Sequence, residues 1–338
     1  MKKEVFFDDP RFAVMGRTLS TNKSLELSYP GVSVHFNVSA KSVQLVAHSP
    51  HGKGRIDVVV NNKLAKILVV SKTPKPFYLI KAKQAKLNKI ELINRGESWH
   101  GIISLKSLIL ESGDLLETPS LPSKKLLFVG DSITSGALME RPASTSNTRK
   151  GPHLSNARQS FGMLLGRMLN AQVHLIAYGG RGLLQGSDTS VRLPQLPQIF
   201  PLTIPETPYN HRWPIDAYIP DGIFICLGTN DFYNDIPNID LFNQHYTDWI
   251  EHLLSLYPNT QIMISEGPML SNSLENKLKK HCLNQCLLTI VKQVNHPQLH
   301  HVPCINCEGD EFDPHPTIDQ HLAIATHFSP LFADILNW

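Results

Sequence analysis

The hydrophobic rhythm of this chain changes once, near residue 120, and that change constrains its fold more than any other feature. Before it the pattern has period two: Val32, Val34, Phe36 and Val38 alternate with Ser33, His35 and Asn37, as in a strand buried on one face. Similar stretches follow at 42–47, 55–60, 64–70, 76–82, 89–94 and 101–111, with Asn61-Asn62 as a hairpin signal between two of them. About eight short strands without a helix predict an all-β first domain over residues 1–118, a β-sandwich of jelly-roll type. Residues 116–122, with two prolines and a serine, read as a linker.

After the linker, apolar runs at 126–129, 173–177, 223–227, 262–265 and 300–302 alternate with stretches of helical period at 157–169, 241–256, 274–294 and 318–336. This alternation predicts an α/β domain over 119–338, a parallel sheet with helices on both faces. Two insertions interrupt it. Residues 137–156 follow the first strand, and 183–220 carry seven prolines with Tyr209, Trp213 and Tyr218; such loops commonly wall a substrate site.

Charge supports the division. Residues 1–120 hold 18 Lys and Arg against 10 Asp and Glu, whereas the remainder holds 14 against 19. The lysines of the first part, among them Lys72, Lys75, Lys81, Lys83, Lys86 and Lys89, are spread along strands. They suit a solvated sheet that resists aggregation better than a nucleic-acid face. No apolar run nears the roughly 20 residues of a membrane helix, so no membrane partner is expected. The start, with three apolar residues before two aspartates, does not form a signal h-region, and five cysteines do not make a disulfide framework; together they predict a cytoplasmic location with reduced thiols. Oligomeric state is not legible.

Three apolar runs end in residues suited to chemistry: Gly130-Asp131-Ser132, Tyr178-Gly179-Gly180-Arg181-Gly182 and Gly228-Thr229-Asn230-Asp231. In a parallel sheet these carboxyl ends share one side, where ligands bind. A serine hydroxyl is a weak nucleophile alone and needs a base, a group that orients the base, and donors for an oxyanion. Asp313-Pro314-His315-Pro316 supplies the first two. Both Asp313 and His315 precede proline, which favours extended backbone, and extended residues two apart point the same way. Asp313 can then hold the tautomer of His315 that accepts a proton from Ser132. The predicted donors are the N–H groups of Ser132 and Gly180 with the Asn230 amide; Gly182 is an alternative to Gly180, and Asp310 or Glu311 an alternative support for His315. Thr317 with Gln320 forms a capping box for the last helix.

Ser132 in Gly-Asp-Ser-Ile-Thr, Gly180, Asn230 in Gly-Thr-Asn-Asp and His315 in Asp-Pro-His-Pro resemble the four blocks of the SGNH (GDSL-type) hydrolase superfamily. The preceding sandwich, the Asp two residues before the His, Gly16-Arg17, Asn94-Arg95 and Ser112-Gly113 make the chain similar to the second carbohydrate esterase family, that of acetylxylan esterases. The resemblance implies a jelly roll joined to a flavodoxin-like three-layer α/β/α domain. It implies a serine esterase that removes acetyl groups from sugar hydroxyls, often the primary one, without metal or cofactor, and an acetylated sugar or oligosaccharide as partner. A lipid or thioester hydrolase on the same scaffold, and a carbohydrate-binding protein without turnover, are the competing readings.

Cys282, Cys286, Cys304 and Cys307, with His300 and His301 near by, invite a zinc reading, but their spacing matches no common finger and buried thiols are expected instead. Tyr178, Trp213 and Phe232 are candidates for a sugar platform or for packing. His153, His211, His245 and His321 have no predicted role.

Overall fold

The computed structural model describes residues 1–142, 151–190, 193–206 and 210–338, so the expectation placed on Tyr209 lies outside the described residues. The chain divides into two compact units, one of residues 1–121 with 203–211 and one of 122–202 with 212–338.

The first unit is a ten-stranded antiparallel sheet. Its strands are β1 (Lys2–Phe6), β2 (Ala13–Met15), β3 (Thr18–Ser20), β4 (Leu25–Leu27), β5 (Ser33–His48), β6 (Arg55–Val60), β7 (Lys63–Val69), β8 (Lys75–Asn94), β9 (Ile103–Glu111) and β10 (Asp114–Leu115). The main order is β3-β4-β9-β5-β8-β6-β7. Two pairs of predicted strands prove to be continuous. The stretches 32–38 and 42–47 join in β5, and 76–82 and 89–94 join in β8. Register shifts between Ala40 and Ser42 and between Val43 and Gln44 interrupt their pairing, and bulges of this kind bend a strand without ending it. Either side of these shifts β5 takes different second neighbours: β2 and β10 against its first half, β9 against its second. The shortest strands, β1 to β4 and β10, carry too few residues for a period to show, which is why the alternation did not reveal all of them. Asn61 and Asn62 both take positive φ, 51° and 66°, as the tight hairpin between β6 and β7 requires. Inside this unit Arg95 donates to Asp57 at 2.7 Å, both side chains fully buried.

The second unit has a five-stranded parallel sheet, β11 (Lys124–Gly130), β12 (Ala171–Ala177), β13 (Gly222–Cys226), β14 (Gln261–Ser265) and β15 (Leu299–His301), in the order β12-β11-β13-β14-β15. Its helices are α1 (Ser132–Ser135), α2 (Phe161–Met168), α3 (Leu196–Ile199), α4 (Ile239–Leu256), α5 (Leu274–Val294) and α6 (Ile318–Leu336). The helix expected over 157–169 begins only at Phe161, because 157–159 is a 3-10 turn. Phe128 and Phe224 on adjacent strands meet Phe161 of α2 and Phe332 of α6 at ring distances of 5.5 to 6.1 Å. Such buried rings are worth about 3–5 kcal/mol each on truncation. α5 lies along β14 and β15, with α4 packed against it. In-register pairing aligns Gly130 with Ala177 and with Cys226, so the ends of β11, β12 and β13 lie side by side.

Candidate active site

Ser132 opens the four-residue helix α1 just past the end of β11. Asp131 caps that helix, its Oδ1 accepting the Ile133 N–H at 2.9 Å, and Gly136 closes it in the left-handed conformation. The serine is thereby fixed at a strand-to-helix turn.

The loop between β15 and α6 brings in His315. The Ser132 hydroxyl donates to His315 Nε2 at 2.8 Å. At the other side of the ring, Nδ1–H donates to Asp313 Oδ1 at 2.6 Å, and the same oxygen accepts the His315 backbone N–H at 2.9 Å. An ionised carboxylate only accepts, so Nδ1 carries the proton and Nε2 is left as the acceptor for serine. Asp313 is almost completely buried, while the His315 side chain retains 20% of its exposure. Of the alternative supports, Asp310 serves the loop and not the imidazole. Its Oδ1 accepts the N–H groups of Phe312 and Asp313, and its Oδ2 accepts Arg141 Nε at 2.8 Å. Burial opposes its charge, but the Phe312 amide and the Arg141 guanidinium outweigh it and hold the carboxyl below its usual range. Arg141, from the segment after α1, thus ties the serine side of the site to the histidine loop. Thr317 and Gln320 form the reciprocal cap at the start of α6.

The loops after β12 and β13 are joined through Asn230 and Asp231. The Asn230 amide nitrogen donates both to Asp131 Oδ2 and to the Arg181 carbonyl, each at 2.9 Å. Both its hydrogens are therefore engaged. The Asp231 carboxylate accepts three successive backbone N–H groups, those of Leu183, Leu184 and Gln185, at 2.9, 2.7 and 3.1 Å. Gln185 Nε2 returns a bond to the Asp231 carbonyl. Gly182 has to be glycine because a Cβ there would stand 2.3 Å from Asp231 Oδ2. Its N–H is taken by Gln195 Oε1 at 2.9 Å. At Gly180, φ 75°, a Cβ would meet only Ser187 Oγ, at 3.5 Å, and its N–H and that of Ser132 have no partner among the described residues.

Two buried carboxylates flank Asn230. Burial pushes Asp131 up to about 6, against the Ile133 N–H and His315, with Asp231 adding to the rise. Burial likewise raises Asp231, against its three backbone donors. The clamp by Asp231, the bridge from Arg141 to Asp310 and the coupling of Asp131 to Asn230 were not predicted. Their only sequence signal is position inside or beside the motifs.

Other candidates fall elsewhere. Phe232 is wholly buried, edge-on to Phe242 at 5.3 Å, so it offers no sugar platform. Tyr178 lies under the Arg181 guanidinium at 4.8 Å, and Trp213 meets His174 at 6.1 Å. His321 is buried, stacked on Phe161 and accepting its N–H, and burial lowers its pKa to about 3. The four cysteines of the zinc reading are free thiols. Among the described residues no group of three or more His, Cys, Asp or Glu comes together as a metal site would require. Burial raises the Cys286 thiol to about 12.

Comparison with known proteins adds to this geometry. Residues 14–119 match the family model "Carbohydrate esterase 2 N-terminal" and residues 128–332 match "GDSL-like Lipase/Acylhydrolase family". The chain is 32% identical to an acetylxylan esterase / glucomannan deacetylase of Cellvibrio japonicus, over 98% of this chain and 90% of the relative. It superposes on the structure of a family two carbohydrate esterase from Cellvibrio japonicus with a TM-score of 0.95 at 32% identity, covering 100% of this chain and 99% of that one. A family two carbohydrate esterase from Clostridium thermocellum, solved with cellohexaose, has the same fold, with a TM-score of 0.87 at 23% identity over 97% and 99% of the two chains.

Proposed function

Because the chain belongs to the second family of carbohydrate esterases, we infer that it is a serine esterase that removes O-acetyl groups from a carbohydrate by way of an acetyl-enzyme. The observation that carries the mechanism is the unbroken chain of hydrogen bonds from Asp313 through His315 to Ser132. Ser132 Oγ attacks the acetyl carbonyl while His315 Nε2 takes its proton, and Asp313 stabilises the imidazolium that forms. The sugar alkoxide then leaves with that proton. Water, deprotonated by His315, attacks the acetyl carbon and releases acetate and the free serine.

The developing oxyanion meets the N–H groups of Ser132 and Gly180, which no other group among the described residues occupies. Gly182 cannot substitute while Gln195 holds its N–H. Asn230 joins the two donors when its amide hydrogen exchanges the Arg181 carbonyl for the substrate oxygen. Relatives named for acetylxylan and glucomannan point to acetylated plant-type polysaccharides or their fragments as the substrate class.

Acetate release from acetylated xylan, acetylated glucomannan and small sugar acetates tests the reading, with His315→Ala as the control. Release by the wild type and its loss in the variant is the expected result. A rate that rises from acetyl to butyryl and longer esters would favour the lipid or thioester reading, which the acylhydrolase family model keeps in view. Sugar binding without turnover in either protein would favour a binding module.

A further inference from the structure

The first unit carries a charge concentration that the ester chemistry does not use. Residues 49–95 hold eleven Lys and Arg but only Asp57 and Glu91 as carboxylates, whereas the rest of the chain holds 21 against 27. Asp57 is buried against Arg95, and Glu91 is half-buried beside Lys89 at 3.5 Å. The stretch folds as β6, β7 and β8, one end of the sheet, and all nine of its lysines are exposed: 53, 63, 66, 72, 75, 81, 83, 86 and 89. Apart from Lys89, none pairs with a carboxylate among the described residues. The strand on the other side of β8, β5, contains no Asp or Glu to offset them.

Nine exposed like charges repel each other at a cost to folding, and a few would suffice to protect an edge strand from aggregation. Two local arrangements go beyond protection. Lys81 Nζ lies 5.4 Å from the Tyr78 ring centroid, while Lys66 Nζ donates to the Tyr78 carbonyl at 3.0 Å. Lys53 Nζ lies 5.4 Å from the Trp99 ring, and the Lys72 side chain runs beside Gly52, next to Lys53. Both rings are unusually open to solvent, Tyr78 at 46% and Trp99 at 43%. A flat exposed ring suits the C–H face of a pyranose, and an ammonium beside it suits a carboxylate on the same or the next sugar. The exposed cations are all lysines. The two arginines of the stretch are half-buried or buried, so the fork that recognises phosphate bidentately is missing from the face.

We propose that the exposed surface of β6–β8 and the adjoining 3-10 turn, with Tyr78 and Trp99 as ring platforms and the lysines beside them as the counter-charge, docks an acidic polysaccharide bearing uronate carboxylates. This rests on the carbohydrate esterase reading for its choice of polymer. It adds that the acetylated substrate is carried on, or lies next to, a negatively charged glycan.

The experiment measures binding of the full chain to deacetylated glucuronoxylan, which offers no ester, beside the same polymer after reduction of its carboxyl groups. Expected is binding at least about tenfold tighter to the carboxylated polymer, lost between about 50 and about 500 mM NaCl. The triple variant Lys66→Glu, Lys81→Glu, Lys83→Glu should lose that preference and Tyr78→Ala should weaken binding about fivefold, while both hydrolyse a small aryl acetate at the wild-type rate. Equal affinity for the two polymers, or no binding to either, overturns the proposal. Tighter binding to single-stranded oligodeoxynucleotide that is indifferent to Tyr78→Ala also overturns it, in favour of a nucleic-acid face. Since the polymer carries no acetyl group, failure here is separate from failure to release acetate.

Discussion

A buried carboxylate sits at the heart of each unit, and the two have opposite surroundings. In the antiparallel sheet Asp57 meets Arg95 at 2.7 Å, with both partners out of contact with solvent. In the parallel unit Asp313 is as deeply placed, yet its partner is an imidazole that passes the interaction on to Ser132 and retains some exposure. The first pair is closed to solvent, with charge facing charge. The second is an open relay that ends on a hydroxyl able to react. The difference lies in what completes the carboxylate's partner, since a guanidinium is permanently charged whereas an imidazole can accept and return one proton near neutral pH.

The largest expected effect is at the open end. Ser132→Ala should lower turnover of a sugar acetate by about 10^4-fold or more with a thermal midpoint close to the wild type, read by acetate release and calorimetry. Asp313→Asn should follow, at about 10^4-fold in kcat with little change in stability, because the wrong tautomer is then held at Nδ1. The closed pair should show the reverse pattern. Asp57→Ala strands a buried guanidinium and should cost about 3–5 kcal/mol of stability in denaturant unfolding while kcat per folded molecule is unchanged. A kcat loss in Asp57→Ala comparable to that of Asp313→Asn would dissolve the comparison. Asn230→Ala should lower kcat by about 10^2- to 10^3-fold, the value of one oxyanion donor. If instead the loss appears in KM alone, the amide stays with Arg181 and only two N–H groups hold the oxyanion.

The smallest effect is a pH dependence. The Asp131 carboxyl titrates near 6 in the folded chain against an ordinary value of 3.8. Between these values the folded state keeps a proton that the unfolded state has lost, so stability conferred at low pH falls as pH rises towards 6. Asp131→Asn lacks that titration. Relative to the wild type its thermal midpoint should therefore improve from pH 4 to pH 7 by an amount on the order of a few degrees. A difference that stays constant across this range would show that burial does not raise the Asp131 carboxyl.

Much of the parallel unit was legible because its signals are local. The run at 126–129 is apolar throughout and that at 262–265 is apolar but for Ser265; they became β11 and β14, with small changes at the ends. The extended Asp313-Pro314-His315-Pro316 stretch places its two side chains together through two proline restraints that act on neighbouring residues. The antiparallel unit was read less well. The register shifts after Ala40 and Val43 switch the buried positions from Val34, Phe36, Val38 and Ala40 to Val43, Leu45 and Ala47, so the alternation breaks and β5 reads as two strands. Phe232 reads equally as a platform or as packing, and only Phe242 of α4, edge-on at 5.3 Å, makes it packing.

By itself the sequence determined the alternation of longer strands and helices in the parallel unit, the cap that opens α6, and that a serine, a histidine and an aspartate each occupy a turn beyond a strand. These follow from side-chain size and backbone restraint between near neighbours. Only the tertiary structure decided which amide hydrogens are taken: that Gln195 takes the N–H of Gly182, that Asp231 takes those of Leu183 to Gln185, and that those of Ser132 and Gly180 have no partner among the described residues. A hydrogen bond belongs to two groups at once. When the second comes from another strand or a distant loop, no property of the first residue's surroundings in the chain can disclose it.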